Sequence, residues 1–188
     1  IEVETNFSSV DNIIINETKN LLSKNIFFIN KNENLIDLNK LNFLENINIK
    51  KIYPSKIIIK ANLTKLIGIT HINEKKYYLG ENGKFISSDR FSNTKKLPLI
   101  FGKFDAKKFL ILLKKLKSQQ INHESITKYY YHKNKRWDIY FKNNILVKLP
   151  NNDVDKAIRI YKSAKKSYDI ISNSIIDLRI ANRLIILN

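Results

Sequence analysis

The sequence predicts an α+β protein, with an N-terminal β-α-α-β-β unit followed by a β-rich unit that has a mainly antiparallel sheet and two helices. Hydrophobic residues make up 43% of the 188 residues, enough for the core of one ordinary domain or two small ones. Apolar spacing alternates along the chain between a period of two and one of three to four. Turn formers, among them Tyr53-Pro54-Ser55, Asn82-Gly83, Asn143-Asn144 and Pro150-Asn151-Asn152-Asp153, fall between the periodic segments.

IEVET alternates, with Ile1 and Val3 on one face and Glu2 and Glu4 on the other, and reads as a strand. SSVDNIIINETKNLLSKN reads as a helix capped by Ser8 or Ser9, with Val10, Ile13, Ile14, Leu21 and Leu22 at helical spacing. An apolar link from Ile26 to Ile29 leads to a second helix, from about Leu35 to Glu45. INIKKIYPSKIIIKANL then gives two strands joined at Pro54, because proline presets a turn and cannot donate to a ladder. These elements form the first domain, residues 1–65; the second spans 66–188.

In the second domain LIGITHI and KKYYLG read as strands, and Asn82-Gly83 signals a type I′ hairpin returning through Lys84 to Ser88. A polar connector ends in the apolar knot LPLIFG. Asp105 caps a helix carrying Phe109, Leu110, Leu112, Leu113 and Leu116 on one face. INHESITKYYYHKNK and RWDIYFKNNILVKLP supply further strands, and Asp153 caps a helix from Val154 to about Lys166. At the end, Ile175, Ile176, Leu178 and Ile180 fit a buried strand, and Leu184 to Leu187 a second one antiparallel to it after the turn Ala181-Asn182-Arg183.

Composition limits the chemistry. Cysteine is absent, which removes disulfides, thiolate nucleophiles and thiolate metal sites. Methionine is absent even at position 1, so the natural start is expected upstream, and any anchor or targeting segment lies outside this stretch, since no run approaches the roughly 18 apolar residues of a membrane span. The net charge of +17 attracts anionic polymers and headgroups, but 29 lysines stand against 5 arginines, beside 32 isoleucines and 25 asparagines. All three abundant types have A/T-rich codons, so genome composition accounts for the lysines, and arginine, the residue that reads bases and clamps phosphates, is scarce. His71, His123 and His132 lie far apart with no second ligand at metal spacing, and four glycines make no phosphate-cradling loop. No metal or cofactor is expected, and no enzyme. Tyr129, Tyr130, Tyr131 and Trp137 are expected to serve cross-strand and core packing rather than base stacking.

Particular residues then suggest a family. The first 65 residues, ending in IKKIYPSKIIIKANL, resemble a POTRA domain. LPLIFG, RWDIYFKNNILVKLP, DKAIRIYKSA and IIDLR, in that order, resemble the FtsQ/DivIB family of bacterial cell-division proteins. Where that family commonly has Glu-Arg-x-Pro, this chain has Leu63-Thr64-Lys65-Leu66. The resemblance implies a single-pass inner-membrane protein anchored by an N-terminal helix missing here, with this part in the periplasm at the division site. It implies a non-enzymatic divisome scaffold that binds FtsB- and FtsL-like proteins through the final strands, with other division proteins possible at the POTRA domain and no nucleic acid. Residue by residue it points to Arg179, for a partner carboxylate or the adjoining helix, to Ile180, Asn182 and Arg183 at the turn, to Leu184, Ile185, Ile186 and Leu187 as the pairing edge, and to Arg136 as a second anion contact.

The terminal run supports the edge on its own terms, because an apolar edge strand with a single charge at its turn invites pairing by another chain. A chaperone or translocation component that takes client β-strands is the competing account, and a basic nucleic-acid-binding module a more distant one.

Overall fold

The computed structural model describes residues 1–5, 11–19, 25–29, 38, 40–89, 96–168 and 170–187. These residues form two compact units, 1–66 with 80–93, and 67–79 with 94–188.

In the first unit β1 (Glu2–Thr5), α1 (Asp11–Glu17), β2 (Leu44–Ile52) and β3 (Lys56–Leu63) follow one another, and the sheet order is β1-β3-β2. β1 runs parallel to β3 and β2 antiparallel to it. The alternation expected of IEVET holds: Glu2 and Glu4 face solvent and pair with Lys56 and Lys60 of β3. The core gathers Ile14, Leu38, Phe43, Ile49, Ile57, Ile59 and Ala61. Leu44 and Glu45, expected at the end of a helix, instead open β2, and residues 40–43 ahead of them form turns rather than helix; residues 35–37 and 39 of that expected helix, like the Ser8 and Ser9 cap, lie outside the described residues.

The Asn82-Gly83 hairpin forms, but not as type I′. Only Gly83 has positive φ, +77°, whereas type I′ needs two such residues. The Gly83 N–H donates to the Gly80 carbonyl and the Gly80 N–H to the Lys84 carbonyl, at 2.9 and 3.0 Å, which is a type I turn closed by a left-handed glycine. The Asn82 side chain is committed on both sides in this conformation: it donates to the distant Asn42 carbonyl at 2.9 Å and accepts from the Lys84 N–H two residues on at 3.0 Å.

The second unit contains β4 (Leu66–Ile72), β5 (Lys75–Gly80), β7 (Leu99–Phe101), α2 (Ala106–Ser118), β8 (Ile126–Tyr131), β9 (Trp137–Phe141), β10 (Leu146–Lys148), α3 (Val154–Ser167), β11 (Ile175–Asp177) and β12 (Ile185–Leu187); the hairpin strand β6 (Phe85–Ser87) falls in the first. Strands run in the order β12-β11-β10-β9-β8-β7-β4-β5. Antiparallel pairs (β8–β9, β9–β10, β11–β12) make up the larger share of the pairing, but the sheet is mixed: β7 is parallel to both β4 and β8, and β11 is parallel to β10. The reason is connectivity. LPLIFG is not a knot in a connector but the strand β7, and α2 carries the chain across to its parallel neighbour β8, as α3 does from β10 to β11.

Both helices lie against one face of the sheet. The Asp105 side chain caps α2, accepting from the Lys107 and Lys108 N–H groups at 2.7 and 3.3 Å. Asp153 occupies the same position before α3, yet its left-handed backbone, φ 54°, leaves it without a side-chain cap bond. Lys115 of α2 bonds Asp155 of α3 at 2.6 Å. Beneath them Phe109 meets Tyr129 edge-on at 4.9 Å and Trp137 at 5.5 Å, and Phe141 meets Tyr161 at 5.5 Å. Tyr129 and Trp137 are therefore core, and Tyr130, which alternation sets on the opposite face from Tyr129, faces outward. Gly102 follows β7 at φ +92°, where a Cβ would run into the Tyr131 carbonyl.

His123, within the stretch INHESITKYYYHKNK read as strand, sits instead in a 3-10 turn. Its Nε2 lies 2.8 Å from the Ile67 carbonyl and its Nδ1 2.7 Å from the Tyr129 hydroxyl. A carbonyl only accepts, so Nε2 carries the proton and Nδ1 accepts from Tyr129. Burial pushes the Tyr129 phenol far above its ordinary value, so the hydroxyl stays a donor. Among the described residues no group of histidines and carboxylates could hold a metal ion, and no helix is long and apolar enough to cross a membrane.

Candidate functional site

Strand registers place Ile185, Ile186 and Leu187 in β12, at one margin of the second unit's sheet, and Arg136 just ahead of β9, three strands inward. Phe101, Tyr130, Asp138, Lys148, Asp177 and Ile185 stand opposite one another from β7 to β12, forming one row on the face away from the helices. The next row, Ile100, Tyr129, Ile139, Val147, Ile176 and Ile186, points into the core. β12 closes the sheet order, and no strand among the described residues pairs with its outer side.

Which backbone groups that edge offers follows from hydrogen bonds one strand inward. The Leu146 N–H donates to the Ser174 carbonyl and the Leu178 N–H to the Lys148 carbonyl, both at 3.0 Å, so the even-numbered residues of β11 address β10. Successive residues of a strand address opposite neighbours, so Ile175 and Asp177 address β12, through their opposites Leu187 and Ile185. Ile186, between them, turns its N–H and carbonyl outward. Its side chain lies over the buried Ile176, while Ile185 and Leu187 remain exposed, 41% and 55%, on the outer face.

The turn into β12 accounts for several of the expected residues. Ile180 does not belong to a buried strand: β11 ends at Asp177, and Ile180 opens a turn closed by the Arg183 N–H on its carbonyl at 3.1 Å, leaving its side chain exposed. Asn182 has φ 60°, a conformation asparagine adopts more readily than most residues. Leu184 is half-buried and Arg183 exposed, both just outside β12.

Arg179 is engaged within the chain. Its Nε lies 2.8 and 2.9 Å from the two Asp177 carboxylate oxygens and its Nη2 2.5 Å from Oδ2, while its own N–H donates to Oδ1 at 3.0 Å. This fork holds the Asp177 carboxyl below the usual carboxylate range, with Lys148 adding a smaller effect. A carboxyl lowered in the folded state contributes stability above its unfolded value, near ~3.9, and loses it as pH falls through the folded value. The melting temperature of wild type is therefore expected to exceed that of Asp177→Asn from neutral pH down to about pH 4, by an amount worth at most about 1 kcal/mol because Arg179 is exposed, and the gap should vanish at lower pH. Circular-dichroism melts of both proteins across that range give the answer.

Arg136 stands beside a different carboxylate, that of Asp138. Its Nε stands 3.6 Å from Oδ1 of the buried Asp138, too far for a hydrogen bond, and both atoms are buried without one. His132 Nε2 holds the other Asp138 oxygen at 2.8 Å. An incoming anion at Arg136 would compete with Asp138. The His132–Asp138 pair was not legible in the sequence, because the two residues meet only through the β8–β9 register.

Comparison with known proteins bears on what such a margin does. Residues 69–179 match the family model "Cell division protein FtsQ/DivIB, C-terminal". The cell division protein FtsQ of Rhizobium radiobacter is 22% identical over 146 residues, covering 77% of this chain and 70% of that protein. For the FtsQ of Agrobacterium fabrum the identity is also 22%, over 77% of this chain and 46% of the relative; for that of Bradyrhizobium diazoefficiens it is 28%, over 72% and 40%. The chain thus matches less than half the length of these last two relatives. The extracytoplasmic domain of the division protein DivIB from Geobacillus stearothermophilus superposes with a TM-score of 0.35 at 12% identity, over 56% of this chain and 98% of that one.

Proposed function

The chain belongs to the FtsQ/DivIB family of bacterial cell-division proteins, and from that premise we propose that it is a divisome scaffold that captures a strand of an FtsB- or FtsL-like partner on the outer side of β12. Proteins of this family are membrane-anchored division proteins with a periplasmic domain, and in this reading the chain works in the periplasm. The first unit is then a POTRA domain, available to other division proteins. Its chemistry is that of docking, without catalysis.

The observation that carries the reading is the orientation of Ile186. An edge strand with outward backbone groups, two exposed apolar side chains and one nearby charge is prone to pair with any chain, and natural edges suppress this with charge, proline or a bulge. Here none of these stands within β12. A partner strand would supply the missing ladder, with alternate side chains packing beside Ile185 and Leu187. In this arrangement Arg183, Leu184, Asn182 and Ile180 flank the incoming strand, and Arg179 reaches a partner carboxylate only by sharing its guanidinium with Asp177.

Calorimetric titration with the soluble periplasmic segment of the FtsB-like partner tests this, run on the chain and on a variant ending at Asn182. Binding is expected for the full chain and lost in the variant, whose circular dichroism stays native. Equal binding by both would remove the site from β12.

A further inference from the structure

We propose that the turn end of the three-stranded sheet in the first unit rests on an anionic lipid bilayer. Phe28 is 85% exposed and Phe27 65%, on a turn whose flanking residues Ile26 and Ile29 are buried. The turn is fixed rather than loose: Asn25 accepts from the Phe27 N–H through its side chain and from the Phe28 N–H through its carbonyl, both at 3.0 Å. Phe27 stacks on Tyr53, ring centroids 4.9 Å apart, and Tyr53 belongs to the β2–β3 turn, where Ile52 and Pro54 are exposed too. Two turn tips thus present one cluster of large apolar side chains to water, against the ordinary preference to bury them.

The flanks select the occupant. Lys50 is exposed and Lys51 half-buried in the strand that enters the β2–β3 turn, while the exposed Lys56 of the strand that leaves it is paired with Glu2, so among the described residues here Lys50 and Lys51 are the cations that face outward unneutralised. Aromatic tips surrounded by lysines suit the interfacial zone of a bilayer, where rings enter the acyl boundary and ammonium groups meet anionic headgroups. Register adds geometry. β1 is parallel to β3 with Glu2 opposite Ile58, so Ile1 lies at this same end of the sheet. A membrane anchor joined ahead of Ile1 would hold these tips against the bilayer, and in this respect the inference rests on the membrane-anchored reading above.

The test uses the whole chain and vesicles of phosphatidylethanolamine and phosphatidylglycerol at about 0.15 M salt, where long-range charge attraction is largely screened. Phe28→Trp places a reporter at the tip, against the constant background of the buried Trp137. Its emission is expected to shift to the blue on adding vesicles and to be quenched by brominated acyl chains. Paired Phe27→Ser and Phe28→Ser changes should weaken vesicle partitioning about tenfold or more, with native circular dichroism. Adsorption without a spectral shift, or equal partitioning of the paired variant, overturns the inference, as does self-association of the chain that vanishes with the same changes. Partner binding at β12 is measured on the same variants. Retained partner binding with no membrane contact defeats this inference alone, and membrane contact with no partner binding defeats only the docking at β12.

Discussion

Ile186→Pro is expected to weaken binding of the partner strand about a hundredfold, roughly 3 kcal/mol, while β12 itself stays in place. The N–H removed is the one that addresses the outer side, and the proline ring stands where an incoming backbone would lie. Ile185→Pro does something different. It removes a donor that β12 gives to Asp177 of β11, so the strand frays and binding falls together with the fold of the margin. Ile186→Ala, which keeps the N–H, separates the ladder from the side chain and should bind within a few-fold of wild type. Titration calorimetry beside hydrogen exchange of the β11 amides distinguishes the three. Wild-type affinity in Ile186→Pro would exclude pairing at this edge.

Phe109→Ala should be the most damaging single truncation in the second unit, costing about 3–5 kcal/mol. Phe109 is fully buried and touches Tyr129, Trp137 and Phe104, so its removal leaves a cavity where α2 meets β8 and β9. Urea denaturation followed through Trp137 emission reads the loss directly. On the same helix Ile111→Ala, at an exposed position, should change stability by less than about 0.5 kcal/mol. A similar loss from both would mean that α2 does not pack on the sheet through Phe109.

Legibility varied with the range of the interaction that fixed each feature. The Asp105 cap, the core packing of Trp137, the opposition of Tyr130 to Tyr129, the Asn143-Asn144 turn and the antiparallel closing strands all follow from residues a few positions apart, and sequence reasoning placed them. The parallel insertion of β7 was hidden because three residues carry no readable period, and its partners β4 and β8 lie tens of residues away. Asn82-Gly83 misled for a related reason. The dipeptide permits type I′ geometry, but the turn that forms has the Asn82 side chain bonded to Asn42, forty residues back.

The candidate site divides in the same way. The sequence by itself determined that two short apolar strands flank a left-handed-tolerant asparagine, Asn182. Local pattern is enough for that, since strand propensity and turn chemistry act within a few residues. Only the tertiary structure decided that Ile186 rather than Ile185 offers its backbone outward, that Ile180 lies in the turn, and that Arg179 is committed to Asp177. The first of those outcomes depends on the parity of the β10–β11 register, and register is set by which side chains of distant strands fill the core together, a condition no short stretch contains; the other two are contacts two and three residues apart, chosen among several local alternatives only once the strand had ended at Asp177.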